Sequence, residues 1–235
     1  MSTPTPLAPP RAVPPCPRAL SRVPAGALVG ALVALLAGCS TIKYNALEKI
    51  GIYKRDLLVG NVEDTRDAQE EAQEQFKDAL ERFASIVDIK ETGLKKAYDR
   101  LNDEYEDSVE AADEVAEQID EVEEVADDLF DEWREEIADQ TNPEYKRDSE
   151  RQLRETRARY REMLASMKES EQSMRPVLRT LRNNVLYLKS NLNAQAIGSL
   201  RATFDELESD IDLLVERMNR SIERSNAFIA GIKPA

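Results

Sequence analysis

Apolar residues recur at three- and four-residue steps along nearly all of the chain beyond residue 44. The clearest run is Leu94, Tyr98, Leu101, Tyr105, Val109, Ala112, Ala116, Ile119, Val122, Ala126, Leu129, Trp133 and Ile137. Its twelve steps cover 43 residues, about 3.6 per step, which predicts a straight helix with one narrow buried stripe. A first stripe reads Leu47, Ile50, Leu58, Val62, Ala72, Phe76, Leu80, Phe83, Val87. A third reads Leu153, Tyr160, Leu164, Met167, Met174, Leu178, Leu181, Val185, Leu188, Leu192, and a fourth Leu200, Phe204, Leu207, Ile211, Leu214, Met218, Ile222, Ile229. No two-residue alternation holds over a useful length, so no sheet is expected.

Helix breakers divide this pattern at Asp88 to Gly93, at Gln140-Thr141-Asn142-Pro143 and at Asn191-Leu192-Asn193. Helices are therefore expected near 45–87, 94–139, 144–191 and 194–230. Pro143 suits a turn or a first helical turn, Asn193 an N-cap, and Gly231 with Pro234 a stop. Pro176 lies off the stripe and predicts a kink rather than an end. Helices of 30 to 50 residues are roughly 45–75 Å long, so residues 45–235 read as a rod. The expected fold class is all-α: an elongated antiparallel helical bundle, or coiled-coil-like hairpin, of about four long helices.

Charge sharpens the picture. Residues 103–139 hold 19 acids and one base, Arg134, whereas residues 146–189 hold 12 bases and six acids. A four-residue break joins the two segments, which predicts an antiparallel hairpin with acidic rows facing basic rows. Flanking charges of this kind set register and partner choice more than stability. The hairpin is expected to be the spine of the fold, with the arginines at 151–161 paired internally.

The amino end follows different rules. Eight of the eleven prolines lie in residues 1–24, together with Arg11, Arg18, Arg22 and no acid. An apolar run, Ala27 to Ala37, leads to small residues and Cys39. A positive start, an apolar centre and a small-residue exit predict a signal peptide over 1–38. Eleven residues rise only about 16 Å as a helix, too short for a retained span. Leu36, Ala37, Gly38 and Cys39 resemble the bacterial lipobox, which is cut just before a cysteine that then carries lipid. That resemblance implies cleavage after Gly38, lipidation at Cys39, a tether over 39–44 and a membrane partner reached through the lipid. Ser40 after the cysteine resembles lipoproteins sent to the outer membrane, which implies a bundle facing the periplasm. Three arginines and no acids leave with residues 1–38, so the formal charge of −14 becomes −17. Cys16 leaves as well, so no free thiol and no disulfide is expected in the mature chain.

Candidate chemistry is sparse. The chain has no histidine, which excludes Ser-His-Asp and Cys-His sites and His-ligated metals. Acid clusters such as Asp127-Asp128 and Asp131-Glu132 read as a solvated face, since ferritin-like sites use Glu-x-x-His and no calcium-loop pattern occurs. Tyr98, Tyr105 and Trp133 read as core rather than as a ligand box. There is no glycine-rich phosphate loop and no nucleophile elbow. The surplus of acid argues against nucleic acid. No enzyme, cofactor, metal or small-molecule substrate is expected.

Three further stretches, Glu48 to Phe76, Leu129 to Ile137 (LFDEWREEI) and Leu186 to Leu200 (LYLKSNLNAQAIGSL), resemble an uncharacterised family of bacterial lipoproteins known only as a domain of unknown function. The resemblance implies a helical envelope lipoprotein with no established activity. The sequence therefore points to a structural or adaptor protein that meets a protein partner or a second copy through its helix faces. A periplasmic holdase-type chaperone gripping unfolded clients is the alternative.

Overall fold

The computed structural model describes residues 54–87, 93–191 and 193–232. Four helices fill them: α1 Lys54–Val87, α2 Leu94–Asp139, α3 Pro143–Ser190 and α4 Ala194–Ile232. At 34, 46, 48 and 39 residues they are about 50–70 Å long. The expected start of the first helix, residues 45–53, lies outside the described residues.

Local chemistry sets the ends. Gly93 adopts φ 140° ahead of α2, a conformation open to glycine and strained for other residues. Asn142 caps α3, its Oδ1 accepting from the backbone N–H of Glu144 at 2.9 Å, and Pro143 occupies the first turn, where no N–H partner is needed. Asn193 caps α4 by accepting from Ala196 N–H at 3.2 Å. Helix α3 runs through Pro176 without a break, and α4 includes Gly231 in its last turn instead of stopping before it.

Short connections make successive helices antiparallel. Helix α1 packs on α2 and α4, and α3 packs on α2 and α4, so the four close into a ring with α1 and α3 on one diagonal. The all-α bundle is as expected, but the α2–α3 hairpin is one side of this ring and not its spine.

The buried columns repeat every seven residues. On α1, Leu58, Thr65, Ala72, Ala79 and Ile86 form one column and Val62, Gln69, Phe76 and Phe83 a second, all without solvent exposure. On α3, Leu153, Tyr160, Met167, Met174, Leu181 and Leu188 form a buried column as well. A straight helix drifts about 20° per heptad, so columns that stay buried over five heptads imply left-handed winding of the helices about one another. This corrects the straight-helix period. On α2 the seam is Leu94, Leu101, Ser108, Val115, Val122 and Leu129, while Tyr98, Tyr105, Val109, Ala116 and Trp133 are only half-buried. Trp133 lies at the edge, with the Arg55 guanidinium 5.4 Å over its ring. Leu80, Leu164, Leu178, Phe204 and Ile222 are likewise half-buried, and Met163 and Val177 take their places in the α3 core. Helix-scale burial of these columns is the main stabilising term, at about 1.5–3 kcal/mol per large side chain.

Candidate functional site: two charged faces and a buried polar layer

Outward columns keep the same seven-residue period. From Arg147 to Lys189 every seventh residue of α3 is basic, with Arg154, Arg161, Lys168, Arg175 and Arg182 between. All are exposed except Lys168, which is half-buried. The next column out, Arg151, Ala158, Ala165, Gln172, Arg179 and Leu186, is exposed and carries no carboxylate. Glu155, Glu162 and Glu169 form a column on the other side of α3, where Glu169 meets Arg217 of α4 at 3.6 Å, whereas Glu171 lies on the ladder side beside Arg175.

Helix α2 is the opposite in sign. Glu106, Asp113, Asp120 and Asp127 form one exposed heptad column, and Asp103, Glu110, Glu117, Glu124 and Asp131 the next. The expected pairing of these rows with the basic rows of α3 is confined to one ion pair among the described residues, Lys168 to Glu123 at 2.6 Å. Arg151 and Arg175 pair instead within α3, with Asp148 and Glu171. Arg157 covers the Phe130 ring at 5.6 Å, and Arg159 bonds Thr156. Arg147, Arg154, Arg161, Arg179, Arg182 and Lys189 have no ion-pair partner among the described residues. The reason is geometric. Lys168 reaches Glu123 in the α2 column that flanks α3, and the other members of that column, Asn102, Val109, Ala116, Phe130 and Ile137, carry no carboxylate for the remaining bases to meet.

Between α1 and α2 runs an open groove of about 600 Å³, floored by Ala68 and Ala111 and walled by Asp64, Asp67, Glu71, Asp107, Glu110 and Glu114. Of its acids, Asp67 accepts from Arg66 and Glu114 from Gln118. No group of three or more carboxylates or cysteines among the described residues is arranged to hold a metal ion.

Inside the bundle lies a polar layer that apolar spacing could not reveal. Gln69 Nε2 donates to Ser170 Oγ at 2.8 Å, and Thr65 Oγ1 bonds the carbonyls of Asn61, at 2.7 Å, and Gln118 of α2, at 3.2 Å. Ser170 and Ser173 donate to the carbonyls of Met167 and Ser170, and Ser225 to that of Ser221. Gln69 Oε1 and Ser221 Oγ are buried with no partner. Nearby, Phe130 and Phe228 enclose Tyr160 at ring separations of 5.3 and 6.2 Å. Burial pushes the Tyr160 phenol well above its ordinary range, and the charges of Glu123 and Asp127 push the same way against Arg157. These groups specify packing; none faces a cavity with a nucleophile or a second acid.

The lipidation and cleavage residues read from the sequence, Cys39, Leu36, Ala37 and Gly38, lie outside the described residues. Among the described residues no helix is long and apolar enough to cross a membrane. The basic ladder on α3 was within reach of sequence reasoning, because its signal is a period of seven in the bases and not their total.

No curated protein matches the chain. Residues 43–232, which include the whole bundle, match one family model, and the chain thus belongs to the family described as proteins of unknown function, DUF2959.

Proposed function

We propose that this chain is a non-catalytic envelope lipoprotein, anchored through lipid on Cys39 after cleavage behind Gly38, that projects a helical rod from the outer membrane into the periplasm as a structural or adaptor element. The observation that carries the adaptor reading is the contrast between seam and surface. The apolar columns are consumed by packing within the bundle, while long single-sign charge columns are left facing solvent. Such a surface recruits by electrostatic complementarity, which sets specificity and encounter rate more than affinity. The partner is a protein of complementary charge or a second copy.

The holdase alternative needs contiguous exposed apolar surface. Among the described residues the large exposed apolar side chains are Tyr145, Leu186, Tyr187 and Leu213, and the Tyr187 hydroxyl is bonded to Ser199. Four residues over three sites favour the adaptor reading.

Crosslinking the intact chain in living cells, beside a Cys39→Ala version, tests the proposal. Capture of a defined envelope protein, or of a second copy, by the anchored form alone is the expected result. Capture of many unfolded clients by both forms would replace it with the chaperone.

A further inference from the structure

The structure fixes which side of the rod each charge column faces. Lys168 reaches Glu123, and Arg157 covers Phe130, so the basic ladder lies on the α2 side of α3. Asp120 and Asp127 are the neighbours of Glu123 at i−3 and i+4, so their exposed column lies on the α3 side of α2. The outward face made by α2 and α3 thus carries one acidic and one basic ridge, side by side. Helix axes in contact lie about 8–10 Å apart, so the two ridges are close neighbours.

Heights match as well. With Lys168 level with Glu123 and both columns stepping by seven, Arg161, Lys168, Arg175 and Arg182 stand within one helical turn of Asp127, Asp120, Asp113 and Glu106 respectively. A two-fold axis parallel to the bundle preserves height and exchanges the ridges. It lays α2 of one copy over α3 of the other, in both directions at once. A two-fold perpendicular to the helices would instead lay acid on acid.

We infer that the α2–α3 face is a self-recognition surface, on which the ladder Arg161, Lys168, Arg175 and Arg182 meets Asp127, Asp120, Asp113 and Glu106 of a second copy of this chain. A uniformly negative partner, nucleic acid or anionic membrane, is disfavoured. It would meet the acidic ridge within about one Debye length of every base it sought. A second copy satisfies both ridges. Four levels span about 32 Å, and two helices are about 20 Å wide, which gives roughly 600 Å² per copy. That is the small, salt-sensitive end of the interface range. Tethering to a shared membrane raises the effective concentration of copies, so the inference rests on the anchored reading for its strength in the cell.

Cysteine crosslinking in cells tests it, using the full chain with two different tags. One tagged form carries Asp113→Cys and the other Arg175→Cys, and a short bismaleimide is added. The expected product is a hetero-crosslinked dimer, with no homodimer from either form alone. The double variant in a single chain serves as the folding control, because adjacent helices link internally whether or not copies meet. A control that links with no hetero-dimer overturns the inference. So does a homodimer from Arg175→Cys alone, which would mean another axis. A second arm reverses Arg161, Arg175 and Arg182 to Glu, which weakens association at least about tenfold, since like charges replace attracting ones. Reversing Asp113, Asp120 and Asp127 to Lys in the same chain restores it. Loss without rescue, accompanied by lost binding to phosphatidylglycerol vesicles, would assign the ladder to lipid instead. Failure of the anchor reading is separately visible, because an unlipidated Cys39 in the parent chain reacts with maleimide.

Discussion

Gln69 on α1 donates to Ser170 on α3 across the diagonal of the ring, at 2.8 Å, with both side chains fully buried. It is the one side-chain hydrogen bond among the described residues that joins the two helices sharing no side of the bundle. The Ser170 hydroxyl in turn donates to the Met167 carbonyl at 2.7 Å, while Gln69 Oε1 is left without a partner. A buried polar contact of this kind contributes little net stability, yet it penalises any register that separates its members.

Removing one member therefore differs from removing both. Ser170→Ala leaves the Gln69 amide unsatisfied in the core and is expected to destabilise by about 1–3 kcal/mol. Gln69→Leu together with Ser170→Ala replaces both by apolar groups of compatible size and is expected to return the urea midpoint to the parental value or above. A double variant weaker than Ser170→Ala alone would mean that the layer stabilises the fold directly.

These residues also mark where the sequence stopped being legible. Element type, number and breakpoints follow from spacing and from Asn142, Pro143 and Asn193, because capping chemistry is local. The period does not. Four of the nine α1 seam positions, Thr65, Gln69 and the small Ala72 and Ala79, carry no strong apolar letter, whereas Tyr98, Tyr105 and Trp133 do and lie at the edge of the seam. Counting every apolar residue of the α2 stripe, its edge positions included, gives a spacing near 3.6 in place of a repeat of seven over two turns. The ladder, too, is legible only through its period. Seven of the twelve bases at 146–189 share one heptad column, and that order rather than the total fixes the face they occupy.

Two glycines are expected to respond oppositely to alanine. Gly60 lies inside α1, and a Cβ added there meets nothing within 4 Å, so Gly60→Ala should stabilise by about 0.5–1 kcal/mol through backbone entropy and helix propensity. Gly93 also has open space, but its φ of 140° strains any other residue. Gly93→Ala should cost on the order of 1–2 kcal/mol. Thermal melts of the two variants, read as shifts of opposite sign, check the assignment of the α1–α2 turn.

Tyr160 predicts an alkaline limb. Its phenol ionises well above the ordinary value near 10 in the folded chain, mainly because it is buried between Phe130 and Phe228. Below pH 10 both states keep the proton and nothing changes. Above it the unfolded chain loses the proton first, so the folded state binds more protons and stability falls as pH rises. The fall approaches 1.4 kcal/mol per pH unit from this group. Tyr160→Phe should remove that component, leaving a shallower loss between pH 10 and 11 than the parent in parallel urea titrations. Equal slopes would show that the ring opens to solvent before it ionises.

Salt should act on the monomer and on self-association with opposite signs. Residues 103–139 place 19 acids on one helix, and among the described residues a few cations answer them, including Lys54 on Glu132, Arg82 on Glu104 and Lys168 on Glu123. Exposed pairs of this kind contribute about 0–1 kcal/mol each, less than the crowding of like charge along the α2 columns costs. Screening shortens the Debye length from about 30 Å at 0.01 M to about 8 Å at 0.15 M, below the 10 Å between heptad neighbours. The unfolding midpoint is therefore expected to rise over this range. Copy-to-copy contact gains its free energy from complementary ridges and should weaken over the same range. Urea titration beside sedimentation at the two ionic strengths separates the effects. A midpoint that falls with salt would mean that attraction within the bundle outweighs repulsion, and that the whole ladder of α3, beyond Lys168 and Arg175, is held by the acids of its own chain.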